Sequence, residues 1–107
     1  MDIRYSCNQR DFKRYTTEET RAEFLIEKLF VADEVTAVYS HVDRMVTLGV
    51  MPVSDVVPID KGIDVWHSFG TSYFLERREA GMFKVGGPGR VVADGAIYPL
   101  EIGRAHV

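Results

Sequence analysis

The spacing of hydrophobic and polar positions changes several times along the chain, and each change marks an element. Val35–Ser40 alternates apolar and polar residues in twos, the pattern of a half-buried strand. The polar stretch His41-Val42-Asp43 interrupts it. Arg44–Met51 then follows, apolar enough to predict a second strand buried on both faces. Pro52 and Pro58 bracket Val53–Val57, which excludes that segment from the middle of a sheet. Residues 59–68 are the least regular part and predict a loop. From Tyr73 to Leu100 the pattern predicts four short strands: Tyr73–Arg78, the residues around Met82–Val85, Arg90–Ala93 and Ala96–Leu100. Ala80-Gly81, Gly86-Gly87-Pro88-Gly89 and Asp94-Gly95 punctuate them. Asp-Gly between two apolar runs predicts a type I′ hairpin, because that turn needs positive φ at both central residues.

The amino-terminal third reads differently. Thr16-Thr17-Glu18-Glu19 has capping-box spacing, so a helix is predicted over Thr17–Phe24 with Thr16 as N-cap and Glu19 reaching back. Phe24–Val31 has the composition of a strand. Residues 1–15 are polar with scattered aromatics (Tyr5, Phe12, Tyr15) and read as an arm that packs on something else. One short helix ahead of closely spaced strands with Gly, Pro and Asp turns predicts a mainly all-β protein, an antiparallel sandwich or barrel.

Composition narrows the function classes. A chain of 107 residues makes one domain with enough material for a core. A net charge of −3 disfavours non-specific nucleic-acid binding, which needs a basic face; Lys13-Arg14 and Arg77-Arg78 are only pairs. Cys7 is the one cysteine, so no intrachain disulfide framework is expected, and it reads as a bystander. No apolar run has the length of a membrane helix, and Met1-Asp2-Ile3-Arg4 does not open a signal peptide. The expectation is a cytoplasmic protein with no nucleic-acid or membrane partner.

Several residues carry candidate chemistry, each beside a plainer reading. His41 and Asp43, two apart, would share a face of a strand and could supply part of a metal site, or a base with its orienter. The favoured reading is a turn pair that satisfies backbone groups. His67, next to Trp66, has no ligand partner nearby in sequence. Arg77 and Arg78 in Glu76–Glu79 could hold an anionic ligand through bidentate contacts, although a solvated strand end with internal ion pairs is favoured. Gly86–Gly89 lacks the Lys-Ser/Thr and the helix of a phosphate loop, so it reads as a hairpin turn.

Glu79 followed by six residues and then Gly86 matches the end of the first motif of cupin jelly-roll barrels. In such motifs a His-x-His pair upstream binds a metal together with the Glu. Here those places fall on Tyr73 and Leu75, or on Ser72 and Phe74. The chain therefore resembles a cupin half-barrel, incomplete at its C-terminal end, whose metal site is absent. A metal set of His41, Asp43, His67 and Glu79 is the disfavoured alternative, and no catalytic residue is assigned.

Longer runs carry a more specific likeness. Glu23–Glu34 (EFLIEKLFVADE), Val38–Arg44 (VYSHVDR), Gly49–Pro52 (GVMP) and Gly70–Glu79 (GTSYFLERRE) resemble the N-terminal part of the 5-keto-4-deoxyuronate isomerases. These are also called 4-deoxy-L-threo-5-hexosulose-uronate ketol-isomerases. The likeness covers most of residues 2–100 and is poorest around 53–68. It implies a bicupin enzyme of pectin and oligouronide breakdown, with one zinc per subunit and a hexameric assembly. It also implies that the zinc ligands, three His and a Glu, sit in a C-terminal barrel and map onto no residue of this chain. The expected partners are that catalytic barrel and further copies in a homo-oligomer.

Glu101–Val107 is set apart. These residues can be back-translated as GAG ATC GGA AGA GCA CAC GTC, a common short-read sequencing adapter. The expectation is a non-native tail at 101–107, with His106 carrying no weight, and a natural chain that continues past Leu100. Residues 1–100 are then a non-metal-binding N-terminal cupin-like domain with a structural and assembly role. The alternatives are a stand-alone cupin module binding a sugar acid or a protein partner, and a protein like the 5-deoxyglucuronate isomerases.

Overall fold

The computed structural model describes residues 1–101 and the backbone of 105 and 106; the remainder of the expected tail lies outside the described residues. The chain divides into two compact units, Met1–Ser68 and Phe69–Val107. Strands dominate and most pairings are antiparallel, as expected for a cupin-like all-β chain. No helix among the described residues is long and apolar enough to cross a membrane.

The first unit begins with β1 (Asp2–Arg4) and α1 (Gln9–Phe12), where the expectation was only a polar arm. Asn8 caps α1 by accepting from the Arg10 N–H at 2.8 Å. Next comes α2 (Thr17–Phe24), with the bounds that the capping pattern predicts. The Thr16 hydroxyl accepts from the Glu19 N–H at 3.2 Å, and the Glu19 carboxylate accepts from the Thr16 N–H at 3.1 Å. Both orphan donors of the first turn are satisfied by one short pattern.

β2 (Val35–Ser40) and β3 (Met45–Val50) form an antiparallel hairpin, and β1 joins β2 on the other side in parallel, in the order β1-β2-β3. The register places Ile3 beside Tyr39, with Ala37 opposite Leu48, Tyr39 opposite Val46 and Val35 opposite Val50. Since strand side chains alternate faces, these seven apolar residues lie on one face of the sheet. The other face carries Asp2, Arg4, Thr36, Ser40, Met45 and Thr47, together with buried Val38 and Gly49. The expectation that Arg44–Met51 is buried on both faces is therefore corrected. Met45 is exposed, and Arg44 is a turn residue at φ 58°.

Phe24–Val31 is not a strand, despite its composition. After α2 it runs as a strap with no ladder partner, its backbone held by groups from elsewhere. Arg4 donates from Nη1 to the Leu25 carbonyl at 2.6 Å. Leu29 lies so close to β3 that a Cβ at Gly49 would collide with the Leu29 carbonyl oxygen and stand 2.6 Å from its Cγ. Asp33, in the left-handed region at φ 57°, ends the strap. Its carboxylate accepts from the Val53 and Ser54 N–H groups at 2.8 and 2.9 Å, while Lys61 donates from Nζ to its carbonyl at 2.6 Å. The loop expected over 59–68 also contains a helix, α3 (Val65–Phe69), opened by Asp64.

In the second unit the strand expected at Tyr73–Arg78 is replaced by bends and turns. Its backbone closes on itself instead of on a partner: Glu76 N–H donates to the Tyr73 carbonyl at 3.2 Å, and the Thr71 hydroxyl donates to the same carbonyl at 3.0 Å. Phe74 is buried edge-on to the Phe69 ring, with centroids 5.5 Å apart. β4 (Met82–Phe83) pairs with the backbone of β7 (Ala105–His106). Between them in sequence, β5 (Gly89–Ala93) and β6 (Ala96–Leu100) form the predicted hairpin. Asp94 and Gly95 have φ of 49° and 80°, both positive as the I′ turn demands.

Candidate functional site

The hairpin turn between β2 and β3 holds His41 and Asp43. Asp43 accepts from the Met45 N–H at 3.1 Å, closing the turn locally. His41 donates its N–H to the Arg4 carbonyl at 2.8 Å, extending the β1–β2 pairing. Its ring stacks on Tyr5 at 4.7 Å and 14°, and meets Tyr39 at 4.7 Å and 56°. The imidazole is thus the middle of three rings that tie the N-terminal strand to the hairpin.

His67 has a partner that the sequence reading missed. At the start of α3 the Asp64 carboxylate accepts from the His67 N–H at 3.1 Å, and its other oxygen lies 2.5 Å from His67 Nδ1. These bonds, the backbone one first, hold the Asp64 carboxyl below its usual range. An ionised carboxylate on Nδ1 favours the proton there and leaves Nε2 as an acceptor facing solvent. The Asp-x-x-His spacing of a helix N-cap was the available signal.

In the second unit Arg78 places its guanidinium 4.6 Å from the Phe69 ring centroid. Arg77, Glu76 and Glu79 are exposed. Among the described residues no three of His, Cys, Asp and Glu gather as ligands for a metal ion.

A cleft of about 510 Å³ opens between β1, α1 and α2. Asp2, Asp11 and Glu23 line it against a single cation, Arg4, and that guanidinium already serves Asp2 at 3.0 Å and the Leu25 carbonyl. Tyr15 and Cys7 complete one wall. Partial desolvation pushes the Tyr15 phenol up, with the neighbouring Cys7 and Glu23 adding to the shift. Three carboxylates against one committed cation repel an anionic sugar acid. The sequence reading missed this cleft because its walls come from three separate elements.

No family model matches the chain. It is 48% identical over 100 residues, 94% of its length, to the 4-deoxy-L-threo-5-hexosulose-uronate ketol-isomerase of Enterobacter sp. (strain 638). The proteins of that name from Escherichia coli O139:H28 (strain E24377A / ETEC) and Escherichia coli (strain SMS-3-5 / SECEC) are matched at the same identity and coverage. The chain spans 35% of the length of each relative and corresponds to an N-terminal piece of it.

Proposed function

We propose, from its relation to the N-terminal part of the ketol-isomerases, that this chain is the non-metal-binding portion of such an enzyme. The reaction is the interconversion of 5-keto-4-deoxyuronate and 3-deoxy-D-glycero-2,5-hexodiulosonate, a step of pectin and oligouronide degradation in the cytoplasm. The observation that carries the reading is 48% identity sustained over 94% of the chain.

Ketol isomerisation moves a proton between adjacent carbons through an enediolate, and needs a base and a positive group beside the developing oxyanion. His41 is engaged between two tyrosines and Asp43 closes a turn, whereas His67, held by Asp64 at Nδ1, keeps Nε2 as an acceptor on an 80% exposed side chain. The likeness to the ketol-isomerases implies that the zinc belongs to a C-terminal barrel that this portion supports, and that the complete protein assembles as a hexamer. A free-standing module for sugar acids is disfavoured by the acidic lining of the N-terminal cleft.

The test is a chimera in which residues 2–100 replace the homologous segment of the Enterobacter relative. Turnover by the chimera is expected within roughly tenfold of the parent, since the segment acts through packing and not through the reacting atoms. The chain alone should neither turn over substrate nor carry stoichiometric zinc. Zinc bound by these residues and lost in His41→Ala, or isomerase activity of the chain by itself, would overturn the reading.

A further inference from the structure

The β5–β6 hairpin has two unlike faces. Gly89, Val91, Ala93, Ala96, Tyr98 and Leu100 share one, and Leu100 on it is only 7% exposed. Arg90, Val92, Ile97 and Pro99 share the other, where Val92 and Ile97 pair directly across the strands while 56% and 60% exposed. A directly opposed pair of large apolar side chains is a unit of sheet stabilisation, and here it stands largely open to solvent. A two-stranded hairpin is at best marginal in water without a further strand or a covering element.

We infer that the Val92–Ile97 face is a docking surface, and that its occupant is the polypeptide which, in the longer relatives, follows the matched hundred residues. The inference rests on the functional reading above and names the surface on which it depends. Three observations select this occupant. The relatives are nearly three times as long as the chain, so most of their polypeptide lies beyond the match. β6 ends at Leu100, so the polypeptide that follows starts beside this face at high effective concentration. A face two strands wide and five residues long presents on the order of 200 Å², well short of the ~800 Å² per partner of a stable dimer. A second copy cannot be held by it alone. The cover must be apolar at Val92 and Ile97, with a polar or acidic group toward Arg90.

The test places Val92→Cys or Ile97→Cys in a Cys7→Ser background, both in this chain and in the Enterobacter chimera. Thiol labelling at each position is followed by mass spectrometry. Labelling is expected to be at least roughly tenfold slower in the chimera, the protection of a covered site. Equal rates, or slow labelling of the chain alone together with dimerisation, would overturn the inference. Hydroxyl-radical footprinting of Val92 and Ile97 in the unsubstituted proteins reads the same face if the cysteine variants misfold. A chimera that turns over substrate with this face still open sinks the docking surface and leaves the functional reading standing. An inactive chimera with the face covered does the reverse.

Discussion

In Met1–Ser68 the side-chain bonds that hold the loops join residues far apart in sequence. Arg4 reaches Leu25, Asp33 reaches Val53 and Ser54, and Lys61 reaches back to Asp33 and Glu34. In Phe69–Val107, apart from the two-residue β4–β7 pairing, the order is local: Thr71 bonds Tyr73, Glu76 bonds Tyr73, and the main hairpin turns on two adjacent residues. Long-range clamps carry the entropy of closing their loops and must be bought with several bonds at once. Local turns form cheaply but leave a two-stranded hairpin with Val92 and Ile97 exposed on one face. The first unit therefore fails when a distant contact is lost, and the second when a single backbone conformation is lost.

The largest expected effect is at Gly49. A Cβ there meets the Leu29 backbone, which cannot swing aside as a side-chain tip would. Gly49→Ala should destabilise the first unit by about 3 kcal/mol, the upper part of the overpacking range. Residue-resolved hydrogen exchange should show β2 and β3 opening while β5–β6 keeps its own protection. If β2–β3 protection is unchanged, the strap does not depend on the close approach.

Gly95→Ala is the counterpart for the second unit. Nothing lies near its missing Cβ, so the whole cost comes from φ of +80° and amounts to about 1–2 kcal/mol. The β5–β6 amides should exchange faster and those of β2–β3 should not. Uniform loss of protection in both variants would erase the distinction between the units. Thr16→Ala is smaller, about 1 kcal/mol. It should appear as fraying of α2 in the carbon chemical shifts of residues 17–20, because α2 buries no residue that could hold it otherwise.

The same contrast explains what could be read in advance. α2, β2 and β6 have the bounds that pattern and caps predict, because each is specified within a few consecutive residues. β1 was invisible: its alternation, Asp2-Ile3-Arg4, is only three residues long, and pairing with Val38–Ser40 makes it a strand. Phe24–Val31 has strand composition, yet Arg4 and Gly49, distant in sequence, make it a strap. Tyr73–Arg78 fails for the opposite reason, since its own i→i+3 bonds take the backbone before any partner strand can. At the candidate site His41, Asp43 and His67 were legible as chemistry-bearing residues. Their engagements with Tyr5, Met45 and Asp64 were not, apart from the Asp64 spacing. The likeness to the ketol-isomerases came from whole runs such as VYSHVDR, and it survived every error in the elements.

The smallest effect is a pH dependence centred on Asp33. Hydrogen bonds from the Val53 and Ser54 N–H groups hold its carboxyl below the ordinary aspartate range. A folded value below the unfolded one means that the unfolded chain binds the proton more readily as pH falls. The stabilisation is thus complete above about pH 5, begins to fade near 4, and is gone once pH drops through the depressed folded value. Asp64, lowered by its bonds from His67, adds in the same window. Asn at position 33 keeps an acceptor oxygen and tolerates the left-handed backbone, but cannot titrate. Thermal melts of the wild type and Asp33→Asn should therefore converge as pH falls from 5 to 3, with the wild type falling more steeply. Parallel curves would mean that the carboxylate gains nothing from being charged, and that the strap is held at Asp33 by hydrogen-bond geometry alone.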